Sequence, residues 1–179
     1  MQEVLAQVFG ALGVLAFILS YQIKSNRLLF AFQFMGCAMF CAQFFLLDAL
    51  SGCLSLAVTM LRNVFMMKSK DWTWVRWRGW PVVFGGAFLA ILIVTWSGPV
   101  SLLAFAASTV STIGYWTNNA QKIRLANLAC ASPCWLVYDA IVGSWSGVLN
   151  EAITLGSILV SIWRYGWKAM GDPDSEFQK

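Results

Sequence analysis

An acid and a stripe of amide and hydroxyl side chains interrupt an apolar run near the end of the chain. In SGVLNEAITL, residues 146–155, Glu151 follows Asn150 and precedes Thr154, and Ser157 comes three residues later. Three- and four-residue spacing places Asn150, Thr154 and Ser157 on one side of a helix. A carboxylate at membrane depth costs a few kcal/mol, so it is expected near a span end, paired, protonated or functional. Glu151 is therefore a candidate for contacting a solute or exchanging a proton.

A second polar stripe occurs 95 residues earlier in the chain. The segment SGCLSLAVTMLRNVFM, which begins at Ser51, aligns without a gap with SGVLNEAITLGSILVS. Small and hydroxyl residues also let helices pack closely in lipid, so each stripe is either a packing seam or part of a polar path for a solute. Gln43 and Tyr138 also align with each other at this offset. The substrate-path candidates are Asn150, Glu151, Thr154, Ser157, Ser55, Thr59, Gln43 and Tyr138.

The composition of the chain requires a membrane around these helices. Of 179 residues, 59% are apolar and 11% are charged, His is absent, and the mean hydropathy is +0.69. A soluble domain carries about 25% charged residues, so this chain cannot build a water-exposed surface. It is predicted to be an all-α integral membrane protein whose partner is the lipid bilayer. Its net charge of +4 requires no nucleic-acid partner.

Hydropathy predicts seven transmembrane helices, because about 20 residues cross the hydrocarbon layer. Continuous apolar runs of this length argue against a β-barrel, whose strands alternate over short segments. The first span has neither a basic leading region nor an Ala-x-Ala site, so it is expected to be retained. The predicted spans are 3–20, 28–47, 51–67, 80–97, 100–117, 124–142 and 146–165.

The basic residues lie on one side of the predicted membrane. All twelve Lys and Arg residues fall in or beside the links that follow spans 1, 3, 5 and 7, whereas the links near Asp48, Ser97 and Gly143 carry none. The positive-inside rule therefore places the N-terminus outside and the C-terminus in the cytoplasm.

Three spans repeat, and span 4 lies between the two copies. Because span 4 crosses alone, both three-helix units keep the same orientation, which predicts a 3+1+3 parallel repeat about an axis along the membrane normal. The predicted organisation is a first repeat over 1–70, an interfacial loop and linker helix over 71–98, a second repeat over 99–167, and a cytoplasmic tail over 168–179.

A basic and aromatic segment, KSKDWTWVRWRGWP from Lys68 to Pro81, separates the first unit from span 4. Trp prefers the headgroup region and basic side chains prefer the anionic cytoplasmic leaflet, so the segment is expected to lie along that interface. Arg62, about four residues inside the end of span 3, is within snorkelling reach of the same interface. The predicted cytoplasmic anchors are Arg62, Trp72, Trp74, Trp77 and Trp80.

The sequence lacks the residues that a catalytic site or a metal site needs. Without His, neither Ser-His catalysis nor a zinc hydrolase site can be assembled, and no Gly-rich phosphate loop precedes a helix. Asp48 and Asp139 lie near the outer ends of spans 2 and 6, where single exposed acids are ordinary. Two cysteine pairs, each spaced by four residues on one helix, suit small hydrophobes better than disulfides. No enzyme activity, metal or cofactor is predicted.

Three stretches carry a resemblance to a known family. QFFLLDALSG, TMLRNVFMMKSK and GVLNEAITLGSILVSIWRYGWK resemble the YgjV-type bacterial inner-membrane proteins over nearly the whole chain. The resemblance implies a bacterial inner (plasma) membrane location rather than an activity. The 3+1+3 plan is also similar to SWEET and PQ-loop transporters, which move sugars or other small solutes by alternating access. Spans 1 and 5 lack the Pro-Gln pair and the hinge prolines of those transporters, ending instead in Ser20–Gln22 and Gly114–Trp116, so sugar transport is not carried over.

Two functions remain open at this point. The chain is either a small-solute transporter, in which the two three-helix units rock about a central site, or a non-transporting scaffold or accessory subunit. A wet cavity at mid-depth between the units favours the first, and a sealed seam favours the second. No residue pattern names the substrate, and a homo-oligomer is compatible with both functions.

Reporter fusions test the predicted topology. A reporter fused after Lys179 is expected to report the cytoplasm and one inserted after Ser97 the periplasm, because the basic links lie inside. Alkaline phosphatase and green fluorescent protein, which are active on opposite sides, give matched measurements at each site. If both sites report the same compartment, the 3+1+3 plan and the repeat are wrong.

Overall fold

The computed structural model describes residues 2–22, 26–68, 71–77, 79–117 and 120–169, and these residues form helices joined by short turns, without a strand. The all-α prediction is confirmed, and most of the predicted tail, residues 170–179, lies outside the described residues. The helices are α1, Gln2–Gln22; α2, Asn26–Leu46; α3, Leu50–Lys68; a 3₁₀ turn, Thr73–Arg76; α4, Trp80–Val94; α5, Val100–Trp116; α6, made of Ala120–Ala126, Asn127–Ala131 and Ser132–Val142; and α7, Trp145–Ala169.

Five of these helices, α1, α2, α3, α6 and α7, are long and apolar enough to cross a membrane. The other two are shorter, since α4 has 15 residues and α5 has 17. The predicted end of span 4 at residue 97 is wrong: α4 ends at Val94, and the chain turns through Gly98, whose φ is 114°, into Pro99. At about 1.5 Å per residue α4 measures roughly 22 Å, less than a hydrocarbon layer of about 30 Å.

Apolar side chains cover the outside of the molecule, and polar side chains occupy its interior. Many large hydrophobic residues are exposed, for example Val94 at 81% and Trp163 at 85%. Gln43, Arg62 and Asp139, by contrast, are buried. This distribution inverts that of a soluble domain and suits lipid surroundings, in which polar groups find their partners inside the protein.

Six of the helices form a closed ring. Packing runs from α1 to α2, α3, α5, α6 and α7 and back to α1, while α4 packs outside the ring against α3 and α5. Aromatic side chains connect opposite members of the ring: the Phe44 ring of α2 stacks on Trp135 of α6 with centroids 5.9 Å apart and meets Tyr138 edge-on at 5.5 Å. The ring therefore has one shared interior rather than a set of separate helix pairs.

The turns that follow α2 and α6 have the same hydrogen-bond geometry. At the end of α2 the Ala49 amide donates to the Phe44 carbonyl at 2.8 Å, and the equivalent bond, 95 residues later, is also 2.8 Å long. The residue before the donor is left-handed in both turns, since Asp48 has a φ of 55° and Gly143 a φ of 77°. Such Schellman-type caps reverse the chain within a few residues, so α3 and α7 return directly beside α2 and α6.

A π-helical turn, Asn127–Ala131, interrupts α6. It precedes Pro133, which has no amide proton and whose ring crowds the carbonyl four residues earlier in a regular α-helix. The wider turn accommodates this change, and π turns frequently accompany functional sites. Hydropathy alone predicts an uninterrupted helix over 124–142. Pro133 is the residue in the sequence that indicates the interruption.

The four Trp residues predicted as anchors gather between α3 and α4. Trp72 stacks on Trp74 with centroids 5.5 Å apart, and Trp74 and Trp80 pack edge-on against Phe65 of α3 at 5.1 and 4.9 Å. The Trp80 indole N–H also donates to the Trp74 carbonyl at 3.0 Å. Trp72, Trp74 and Trp77 remain exposed, so the cluster presents indole rings outward. Its position at the cytoplasmic interface stays a prediction.

Two glycines allow α1 and α2 to approach closely. A Cβ atom at Gly36 would lie 2.8 Å from the Phe17 ring, and one at Gly13 would lie 2.8 Å from the Phe40 ring. Each glycine thus receives an aromatic ring from the other helix. Small residues at helix contacts serve the same purpose throughout membrane proteins.

Gly36→Ala is expected to destabilise the protein by about 1–3 kcal/mol, because the added methyl group must displace the packed Phe17 ring. The matched control is Gly86→Ala on α4, where a Cβ meets no atom within 4 Å and the greater helix propensity of Ala is slightly favourable. Thermal unfolding of both purified variants in one detergent measures the difference. Equal melting temperatures for the two variants would contradict the packing argument.

Candidate functional site

A cavity of about 120 Å³ lies at the centre of the helix ring. Every ring helix contributes to its wall, whereas no described residue of α4 does. The wall carries charged groups inside a protein whose exterior is apolar, which makes the cavity the candidate functional site. Its polar residues include Thr59, Arg62, Asp139, Asn150, Glu151 and Thr154.

Half of the predicted substrate-path residues line this cavity. Asn150, Glu151 and Thr154 face it from α7, and Thr59 faces it from α3. The Asn150 Nδ2 donates to Glu151 Oε1 at 3.1 Å, and the Glu151 carboxyl group is close enough to Ser132 of α6 for a hydrogen bond. Contacts from two helices therefore orient the carboxyl group at the cavity wall.

Two other predicted path residues lie away from the wall. Ser55 is buried within α3, where its carbonyl accepts the Thr59 hydroxyl at 2.9 Å. Ser157 is exposed, which corrects its assignment to the path. The neighbouring residue, Ile158, is buried instead. The inward face of α7 is therefore shifted by one residue from the face that the spacing of Asn150, Thr154 and Ser157 predicts.

Arg62 is buried, which corrects its predicted placement at the cytoplasmic interface. The side chain is 4% exposed, and its Nη1 donates to the hydroxyls of Ser111 at 3.1 Å and Thr112 at 3.2 Å on α5. Its Nη2 donates to Asn63 Oδ1 at 3.3 Å, and the guanidinium carbon lies 4.5 Å from the Tyr115 ring centroid. These partners hold the guanidinium inside, at the cavity wall, instead of letting it extend to the interface. The Nε of Arg62 has no hydrogen-bond partner among the described residues.

Asp139 is also buried, although its position near the end of span 6 predicts an exposed acid. It is 3% exposed, it lines the cavity, and its Oδ1 has no hydrogen-bond partner in the part of the chain that the structure describes. A Cβ at Gly147 would overlap its carboxyl group, so α7 approaches Asp139 through a glycine. When both are charged, Asp139 and Glu151 are close enough to repel each other. A sequence signal exists, because Asp139 follows Ser132 by seven residues on one helix face.

Gln43 lies outside the cavity, at the end of the ring that holds the α2–α3 and α6–α7 turns. It is buried, and its Nε2 donates to Ser146 Oγ of α7 at 2.9 Å and to Gln7 Oε1 of α1 at 3.3 Å. The Gln7 amide in turn donates to the Gly143 carbonyl at 2.8 Å. Gln43 thus connects α2 to α1 and α7.

Tyr138 makes the corresponding contact on the other side of the ring. Its hydroxyl accepts the Gly52 amide at 2.8 Å and lies 3.0 Å from the Ser51 hydroxyl, both at the start of α3. The first amides of a helix have no partner within it, so Tyr138 of α6 caps α3. Gln43 and Tyr138 are 95 residues apart, and so are Ser51 and Ser146. We call the Gln43–Ser146 and Tyr138–Ser51 contacts the polar ties.

Comparison with known proteins identifies a family but no individual relative. The family model Imp-YgjV, described as bacterial inner membrane protein, matches residues 4–169. This range contains the cavity and both polar ties, and it confirms the predicted family resemblance. No curated protein and no solved structure matches the chain.

Tyr138→Phe is expected to lower the free energy of unfolding by about 0.5–2 kcal/mol, because the Gly52 amide and the Ser51 hydroxyl lose a buried partner. Tyr115→Phe is the matched control, since it keeps the ring that lies 4.5 Å from the Arg62 guanidinium carbon. Unfolding of the purified variants in one detergent measures both effects. A loss for Tyr115→Phe as large as that for Tyr138→Phe would argue against the cap.

Proposed function

We propose that this chain, which belongs to the Imp-YgjV family of bacterial inner membrane proteins, is a small-solute carrier that works by alternating access. In this proposal α1–α3 and α5–α7 are the two units of a parallel 3+1+3 repeat, and α4 links them across the membrane. All seven helices cross, with the N-terminus outside and the C-terminus in the cytoplasm. The plan is then similar to that of SWEET and PQ-loop transporters.

The order of helix packing supports the repeat. In a two-fold repeat, α1, α2 and α3 are equivalent to α5, α6 and α7. The packing of α3 against α5 must then have an equivalent in the packing of α7 against α1. Both contacts occur in the ring. The turns after α2 and α6 share one hydrogen-bond pattern, and the polar ties use equivalent positions in the two units. These features are the ones that an approximate two-fold axis between the two proposed units would relate.

The composition of the cavity wall is the observation that carries the proposal. Many wall residues come in pairs that are 95 residues apart, as expected for a cavity on the axis between two repeated units. Carriers built from repeats bind their substrates at such axes. The pairs are Cys37 and Ser132, Phe40 and Trp135, Phe44 and Asp139, Leu56 and Glu151, and Thr59 and Thr154.

The polar ties act as the gate on the periplasmic side. One tie joins α2 to α7 and the other joins α6 to α3, so both connect the two units and must open when the units rock apart. Each tie is a neutral hydrogen bond, worth about 0.6 kcal/mol on average within membranes, so opening requires little energy. The π turn Asn127–Ala131 borders the cavity and provides a point at which α6 can bend.

Thr154→Cys is expected to react with a membrane-impermeant thiol reagent from either side of the membrane. Alternating access exposes one cavity residue to each compartment in turn, and Thr154 lies roughly 14 Å along α7, near mid-depth. The measurement uses right-side-out and inside-out vesicles and a background in which the five native cysteines are replaced. Ile153→Cys is the matched control, because the neighbouring side chain is exposed on the outer surface and is expected to react from neither side. Reaction of Thr154→Cys from neither side would contradict alternating access.

Uptake into proteoliposomes tests the carrier function itself. Sugars, amino acids and vitamins are screened for accumulation above that in protein-free vesicles. Thr154→Trp, which fills the cavity, is the negative control for any solute that enters. A cavity that is closed to the thiol reagent, together with no uptake across the panel, would favour the scaffold or accessory subunit.

A further inference from the structure

Three ionisable side chains meet at the cavity without ionic partners. Arg62, Asp139 and Glu151 all line its wall, and no ion pair within 4.0 Å joins any of them to another described residue. The Arg62 Nε and the Asp139 Oδ1 also lack hydrogen-bond partners among those residues. Because an unpaired charge inside a membrane protein is costly, these groups indicate a ligand that supplies the missing partners.

The charges are separated along the cavity. In the proposed repeat, Glu151 lies six residues before the position of α7 that is equivalent to Arg62 of α3, so their Cα atoms differ in height along the helices by about 9 Å. Asp139 packs against Gly147, one helical turn before Glu151, and is therefore still farther from Arg62. The cavity thus has one cationic end and one end with two carboxyl groups.

The space between these ends suits a molecule of about six non-hydrogen atoms. A cavity of about 150 Å³ can hold benzene, and this one measures about 120 Å³. An α-amino acid of this size carries its ammonium and carboxylate groups about 3 Å apart, so it can direct one charged group toward each end of the cavity. Thr59 and Thr154 lie at the intermediate level and offer hydroxyl groups there.

We infer that the cavity binds a small zwitterion, with its anionic group at Arg62 and its cationic group at Asp139 and Glu151. An anion alone would pair with Arg62 but meet two carboxyl groups, and a cation alone would leave Arg62 unpaired. The planar guanidinium of Arg62 also suits a carboxylate. The inference names the substrate class of the proposed carrier and rests on that function for the ligand's passage across the membrane.

Three probes of nearly equal shape test the need for both charges. They are alanine, lactate, in which a hydroxyl replaces the ammonium group, and alaninamide, in which a neutral amide replaces the carboxylate. Isothermal titration calorimetry on the full-length protein in lipid nanodiscs measures binding. Alanine is expected to bind at least about tenfold more tightly than either analogue, because each analogue lacks one charge-assisted hydrogen bond. Equal affinity for either analogue, or no binding of alanine up to about 10 mM, would overturn the inference.

Substitutions assign the two ends of the ligand. Arg62→Gln is expected to abolish the preference for alanine over alaninamide, and Arg62→Lys to retain part of it. Glu151→Gln combined with Asp139→Asn is expected to abolish the preference for alanine over lactate. Asp48→Asn removes an exposed carboxyl at a left-handed position and is expected to leave all three affinities unchanged. Preferences that survive both sets of cavity substitutions would overturn the assignment, and the wild-type comparison decides the inference if a variant does not fold.

Transport of the same probes separates this inference from the carrier function. Alanine that binds with the expected preference but does not enter proteoliposomes supports the zwitterion site and contradicts the carrier. Uptake of lactate or alaninamide in preference to alanine supports the carrier and overturns the zwitterion site. Uptake of alanine with the expected preference supports both.

Discussion

The organisation of this molecule depends on keeping polar groups away from lipid. A polar group in hydrocarbon needs a partner within the protein, so the polar faces of α3 and α7 turn inward while residues such as Val94 turn outward. Six helices closed into a ring give these faces one common interior. The central cavity and the polar ties are two consequences of this arrangement: hydrogen bonds form where the inward faces meet, and a space remains where they do not.

The two three-helix segments of the proposed repeat differ in chemistry along the cavity wall. Phe44 occupies the position equivalent to Asp139, and Leu56 the position equivalent to Glu151. The residue equivalent to Arg62 is a serine on the outer surface. An exactly repeated wall would offer every group twice, on opposite sides of the axis. These differences underlie the cationic end and the acidic end that the proposed zwitterion site uses to orient its ligand.

Packing is strong within the first unit and weaker between the units. Gly13 and Gly36 let α1 and α2 interlock with aromatic rings, which fixes their separation. The contacts of Gln43 and Tyr138 across the ring are neutral hydrogen bonds that can exchange partners at low cost. The π turn in α6 lies beside the cavity. This difference in strength is what the proposed rocking motion of the two units requires.

Hydropathy and helical spacing by themselves determined the membrane class, the seven helices and the face that carries Asn150 and Thr154, because these properties are local to one helix. The direction of Arg62 was decided by the tertiary structure, because it depends on hydroxyls of α5 that lie about fifty residues farther along the chain. The burial of Asp139 depends on Gly147, whose lack of a side chain lets α7 approach the carboxyl group. Ser157 is excluded because the inward face of α7 shifts below Thr154. Spacing along one helix identifies a polar face, but only the neighbouring helices decide which polar groups share a cavity.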